Sequence, residues 1–342
     1  MGGGDSSPLW IWLRAVVEGL LGKRLLFVTG KGGVGKSTVA AALGLVAARR
    51  GMRTMLAEVA GQDRVARSLG REATGFEEVE IAPGLFHISI DPQLAFEEYL
   101  RFQLPARAMA DLLASSRMFQ YFTAATPGLK ELLTIGKVWE ISQLQRRSRG
   151  AAAYDLTIVD APATGHGIAI LRSPGTFAEV ARVGPIANQS RAVARTIADT
   201  RQTGVVAVAH AEEMAVSETL ALRDALREDP KVPLAAVVVN AVLENRFSVR
   251  HARSIRKALG TDRTPAARAA LRAALSGHAR ASGHREQVER LATGLGDEPV
   301  ELPFVGPDRP PAGPSGRRNE GERAVFERLA DALEATRLAA AA

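Results

Sequence analysis

The chain has 342 residues, 46% hydrophobic and 24% charged, enough to bury a large core in one large domain or two. It contains no cysteine, which excludes disulfides, thiolate metal sites and cysteine nucleophiles and suits a reducing, cytoplasmic setting. The formal net charge of +7 favours acidic partners, although arginine is spread through nearly every segment.

Residues 8–21, PLWIWLRAVVEGLL, look at first like a targeting segment. Arg14 and Glu18 interrupt them, no small-residue cleavage site follows, and the run is too short to span a bilayer. The pattern predicts an N-terminal unit over 1–24, an amphipathic helix docked on the body, with peripheral membrane contact as the second reading.

Short apolar runs rich in branched residues follow at 25–29, 54–59, 85–90, 155–160, 205–210 and 235–240, as strands buried on both faces do. Helix-period stretches lie between several of them, so the expected fold is α/β, a doubly wound and mostly parallel sheet. The helix after the first run, 37–50, ends at Gly51, a residue suited to a left-handed cap. Two insertions break the alternation, about 92–150 ("AFEEYLRFQL", "RAMADLLASSRMFQYF") and 172–203, after "LRSPG". Both read as an inserted helical subdomain over the carboxyl ends of the strands, where ligands of open α/β folds bind. Core packing is the alternative account of their Leu, Met and Phe residues.

Residues 245–290 are the one densely basic region, the only place where charge suggests nucleic acid or an anionic surface, nucleic acid being the less expected partner. The stretch 306–322, GPDRPPAGPSGRRNEGE, predicts a mobile linker. A final amphipathic helix is expected over 323–342.

The sharpest motif is GKGGVGKST, residues 30–38. Gly30 to Ser37 satisfies G-x-x-x-x-G-K-[ST] between an apolar strand and a helix, the context the motif requires. Gly30, Gly32, Gly33 and Gly35 let the backbone around Val34 wrap close to phosphate oxygens, and the helix that follows adds its positive end. Lys36 reaches the β- and γ-phosphates, the Ser37 hydroxyl ligates Mg²⁺, and Thr38 bonds the α-phosphate. ATP with Mg²⁺ is the implied ligand. Lys31 is a second lysine at the rim, where its stem cannot easily fold back onto phosphates held by its own loop. It can instead reach across a two-fold interface to a neighbour's nucleotide, as an arginine finger does; a solvated lysine is the plain alternative. Asp160 ends the strand "YDLTIVD", where a carboxylate can hold Mg²⁺ through its water shell.

KGGVGKST resembles the deviant phosphate loop of the ArsA, MinD and ParA class of dimerising P-loop ATPases, in which the early lysine acts in trans. The match narrows at 160–166, DAPATGH, which is similar to the switch II of the arsenite-pump and tail-anchored-protein-targeting ATPases. PGLKE (127–131), EEMAVSET (212–219) and VVVN (237–240) also resemble that family in order and spacing, so that the resemblance covers about 25–305. It implies a P-loop ATPase domain, with Asp160 as the Walker B acid and Pro162, Thr164, Gly165 and His166 in a segment that senses the γ-phosphate; it makes His166 a conformational element, not a base. It also implies that Asn240 pairs with the adenine edge and that Pro303 and Phe304 cover the adenine face. A strand-ending asparagine is also a common turn former.

Departures from the family matter as much. Relatives usually carry an aspartate after the second strand that orients the attacking water; by spacing, Ala60 stands there. Glu58 and Asp63 are the nearby carboxylates, and Glu58 is expected to position water or act behind Mg²⁺, against the alternative of a buried structural acid. A slow or partner-dependent enzyme is the expectation. Without cysteine the chain lacks both the zinc-stapled dimer of the eukaryotic targeting ATPases and thiolate binding of arsenite. The resulting reading is a MgATP-hydrolysing homodimer, or heterodimer with a paralogous chain, that switches a client or membrane-protein partner. The alternatives are a ParA- or MinD-like positioning ATPase and a non-hydrolysing regulatory subunit.

Overall fold

The computed structural model describes residues 8–59, 63–103, 116–147, 150–181, 183–260, 264–306 and 316–334. Its centre is one eight-stranded sheet in the order β3-β4-β2-β5-β1-β6-β7-β8. The strands are β1 (Leu25–Gly30), β2 (Thr54–Val59), β3 (Val79–Ala82), β4 (Leu85–Ile90), β5 (Leu156–Asp160), β6 (Thr203–His210), β7 (Leu234–Val242) and β8 (Val300–Pro303). All neighbours run parallel except β3, which pairs antiparallel with β4 at the edge. The six expected strands are present. The two that sequence patterning passed over, β3 and β8, have four residues each and lie at opposite edges; so short a run carries too little alternation to register.

Alternation along β1 shows how the core divides. Leu26 and Val28 point into one apolar layer, Leu25 and Phe27 into the other. The first layer holds α1 (Pro8–Leu21), α2 (Lys36–Arg49), α3 (Arg64–Ser68) and the final helix, α12 (Gly316–Glu334). Opposite lie α6 (Leu129–Ser142), α7 (Thr164–Val180), α8 (Pro185–Ala198), α9 (Glu213–Glu228) and α11 (Pro265–Leu295). The remaining helices are α4 (Pro92–Gln103), α5 (Ser116–Ala125) and α10 (Val249–Leu259). A helix that is apolar all round belongs inside, and α2 is buried without a break from Val39 to Ala47. Its alanines and Gly44 allow close approach to the sheet: a Cβ on Gly44 would crowd Leu85. At its end Gly51 adopts φ +82°, the left-handed cap expected.

Burial of Val17, Leu20 and Leu21 ties α1 to the first layer. Among the described residues no helix is long and apolar enough to cross a membrane. The expected linker, 306–322, overlaps α12, which already begins at Gly316. The Glu322 carboxylate accepts from the Ser68 hydroxyl, and Phe326, Leu329 and Leu333 are buried. Proline and charge do argue for a linker, but the last proline is Pro314, and from there the chain has a surface to pack on. Residues 307–315 and 335–342 lie outside the described residues.

Candidate functional site

Between β5 and β6, β1 ends at the point where the strand order reverses, the crevice in which open α/β folds take their ligands. Gly30 has φ +148°, and a Cβ there would run into the Val208 carbonyl of β6. Gly33 and Gly35 are left-handed, at φ +85° and +87°. These conformations wrap the loop tightly and need glycine. Gly35 is the N-cap of α2, and no side chain caps the helix, so its first-turn amides remain available to an anion.

Lys36 folds back over this loop, its Nζ donating to the Lys31 carbonyl at 3.1 Å. Burial, and then Arg64, lower its pKa, while Asp160 raises it. Ser37 Oγ donates to Asp160 Oδ2 at 2.5 Å, joining the two residues expected at the metal. Burial pushes the Asp160 carboxyl up to about 6; Glu58 adds to this, and the Ser37 hydrogen bond and Lys36 oppose it. Asp160 Oδ1 and Thr164 Oγ1 are buried polar atoms without a hydrogen-bond partner, the kind of gap a ligand or ion fills. One carboxylate and one hydroxyl leave the rest of an octahedral shell to phosphate and water, which is the Mg²⁺ pattern, so the residues present fit that ion. Thr29 Oγ1 donates to the Pro162 carbonyl at 3.2 Å, and a Cβ on Gly167 would crowd it. The 160–167 segment is thereby packed against the end of β1.

Glu58 stands level with Asp160 on the neighbouring strand but is 2% exposed and turned onto α3. Its carboxylate accepts from the Arg64 and Val65 amides at 3.1 and 3.0 Å and from His87 Nε2 at 2.7 Å. His87 Nδ1 faces Thr74 Oγ1 at 2.6 Å, while Asp63 Oδ1 takes the Thr74 and Gly75 amides. Both nearby carboxylates thus have partners that hold the start of α3. Ala60 lies outside the described residues.

A cavity of about 530 Å³ opens beside the loop, lined by Gly33, Gly35, Lys36, Ser37 and Thr38, by Arg64 and Arg67 of α3, and by Phe326 of α12. Both arginines are exposed, and the Arg64 charge is felt at Lys36 and at Asp160. Sequence reasoning passed over the roles of Arg64, His87 and Glu218: His87 is placed by the pairing of β4 with β2, Arg64 by the start of α3, and Glu218 by α9, inside a motif whose partner across the loop the sequence does not mark. Lys31 Nζ lies 3.0 Å from Glu218 Oε1 on α9, so within one chain the rim lysine already has a counter-ion. Gly32 is exposed beside it.

At the far end, Asn240 Nδ2 donates to the Val34 carbonyl at 3.0 Å, and a Cβ on Gly35 would collide with that amide. The asparagine therefore braces the loop from β7. Pro303 ends β8, and Phe304 follows, 60% exposed, its amide donating to the Val242 carbonyl at 2.9 Å. His166 is 58% exposed, with Nδ1 3.7 Å from Glu131.

A parallel sheet with a glycine loop, a lysine and a serine–aspartate pair at its switch point defines a P-loop nucleotide-binding fold. Residues 23–184, just under half of the chain, match the family described as anion-transporting ATPase. It is 33% identical over 231 residues to ATPase BagA of Mycobacterium tuberculosis, covering 65% of this chain and 66% of that protein. To ATPase GET3 of Chaetomium globosum it is 30% identical over 174 residues, 48% of this chain and 47% of that one. The arsenical pump-driving ATPase of Escherichia coli shows 27% identity over 211 residues, 56% and 35% of the two chains. Lys31, Lys36, Glu58 and Asp160 fall inside the family match, and Asn240 and Phe304 outside it.

Proposed function

We propose that this chain binds and hydrolyses MgATP at the phosphate loop and works as a dimer whose closure is driven by nucleotide. The observation that carries the reading is the convergence on one loop of Lys36, the first-turn amides of α2 and the Ser37–Asp160 contact at 2.5 Å. Lys36 and the amides bind the phosphates, with Gly32 and Val34 in the wrapping loop and Thr38 toward the α-phosphate; Asn240, Pro303 and Phe304 flank the base. Ser37 and Asp160 would hold Mg²⁺, which supplies charge neutralisation between phosphates when bound. Arg64 adds a positive charge on the γ-phosphate side, where charge accumulates during transfer.

In this reading Glu58 organises the start of α3, and through it Arg64. Without a positioned aspartate in the loop before α3, turnover is slow or depends on the partner chain. Lys31 exchanges Glu218 for the phosphates of the opposite protomer when the dimer closes, whether the partner is a second copy or a paralogue. The phosphate-sensing segment 160–167, packed against β1, passes occupancy to α7, because an equilibrium moves only as far as a ligand prefers one state.

Client handling falls to the inserted helices. Of the ten large hydrophobic side chains exposed among the described residues, seven lie between Leu94 and Ile186. An apolar cavity of about 350 Å³ between α4, α6 and α8, lined by Phe96, Tyr99, Leu133 and Ile186, has the size of a small-molecule or side-chain site rather than a groove for a whole membrane helix.

Mixing variants tests the trans role. Lys31→Ala keeps its own metal site and Asp160→Asn keeps its lysine, so each alone is expected to be inactive. An equimolar mixture that exchanges freely should recover roughly a quarter of the wild-type phosphate release, because about half of the dimers are mixed and each holds one complete site of two. A mixture as inactive as its components contradicts action in trans.

A further inference from the structure

The segment 245–285 holds ten arginines and lysines and one carboxylate, Asp262, whereas the whole chain has a net charge of +7. Its net charge, ten minus one, exceeds that of the whole chain, so everything else is net negative, and most of these cations sit on two adjacent helices. The helices are α10 and the first two-thirds of α11, packed on each other, with α11 also against α9 and β7. Arg250, Arg253, Arg256 and Lys257 on α10 and Arg268 and Arg272 on α11 are all exposed.

Several arginines elsewhere are paired with carboxylates: Arg49 with Asp331 and Glu334, Arg172 with Asp229, Arg323 with Glu327. Even at the distal end of α11, Arg285 meets Glu301 at 2.7 Å. Among the described residues no carboxylate is paired with Arg250, Arg253, Arg256, Lys257 or Arg272.

Three kinds of anionic partner fit a cationic face, and its other side chains discriminate between them. A protein interface has an apolar centre depleted of charge; here Val249 is the only large hydrophobic among the exposed ones. An interfacial membrane helix lays an apolar face into the headgroups, whereas in α10 the small Ala252 is turned inward and buried and Leu259 is half-buried. Between the arginines of α11 stand exposed alanines, Ala269, Ala270 and Ala273, which leave the guanidinium groups standing clear of a low surface. Among the described residues of the hairpin no exposed aromatic is present to stack on unpaired bases. Guanidinium groups spread along helices that rise about 1.5 Å per residue fit the phosphates of a duplex.

We propose that the α10–α11 hairpin is a sequence-independent docking surface for the phosphate backbone of double-stranded nucleic acid. It sits beside the nucleotide site: His284 Nδ1 accepts from the Leu243 amide at 3.2 Å and His278 Nδ1 lies 2.9 Å from Asn245 Oδ1, fixing the loop that continues from Asn240.

Fluorescence anisotropy of a labelled random-sequence 30-base-pair duplex with the full chain tests this. Five phosphate contacts predict affinity about 500-fold weaker in 200 mM than in 50 mM KCl. The quadruple variant Arg250→Gln, Arg253→Gln, Arg256→Gln, Lys257→Gln should bind at least about tenfold more weakly at 100 mM with a shallower salt slope. Arg268→Gln with Arg272→Gln, on the other helix, should lower the slope independently, and circular dichroism should show all variants folded. Absence of duplex binding at 50 mM, or variants that bind like the wild type, overturns the proposal. So does binding to vesicles with anionic lipid, or to polyglutamate, by a chain that ignores the duplex.

Discussion

In the proposed site Asp160 would carry a negative charge beside a hydroxyl and a divalent cation, and burial works against that charge. Its carboxyl is pushed up to about 6 from 3.8, so the folded chain holds the proton more tightly than the unfolded one. The group therefore favours folding below about pH 4, and that contribution, about 3 kcal/mol, is lost as pH rises through about 6. Asp160→Asn is expected to raise the urea midpoint at pH 7, to flatten its dependence between pH 4 and 6, and to abolish phosphate release; a midpoint no higher than wild type contradicts this. Glu218→Gln should cost under about 1 kcal/mol, since the ion pair is partly exposed, while releasing Lys31 and raising the rate of phosphate release. A fall in rate would make Glu218 part of the working site. At this scale the loop was legible in advance because its chemistry is local: glycines, Lys36 and Ser37 stand within nine residues. Glu218 was not, because it lies nearly two hundred positions from the lysine it holds.

Two elements flank the site, and each depends on a few contacts. The start of α3 rests on a buried carboxylate shared by two amides and His87. Removing one partner of such a group leaves charge without compensation, so His87→Ala should destabilise by about 2–4 kcal/mol and speed hydrogen exchange at the Arg64 and Val65 amides before the rest of the sheet opens. Unchanged exchange there would show that α3 does not depend on the pair. In the same layer, Phe326 fixes α12 against the body, and Phe326→Ala should cost about 3 kcal/mol, read as a lower denaturation midpoint. The long buried strands announced themselves through branched apolar runs. The start of α12 did not, since charge and proline dominate the composition before it and the contacts that hold it are with Ser68 and α2.

Across the whole molecule, βαβ alternation revealed the parallel sheet and the place of the nucleotide loop, because burial on both faces imposes one pattern on every central strand. What alternation does not encode is which carboxylates face the phosphates: Glu58 stands level with Asp160 in the sheet yet turns to α3. The account as a whole rests on ATP being cleaved at this loop. Phosphate release from MgATP, compared between wild type and Lys36→Ala at equal protein concentration, tests it most directly. The account predicts slow release by the wild type and a loss of at least about a hundredfold in the variant; equal rates in the two would contradict it.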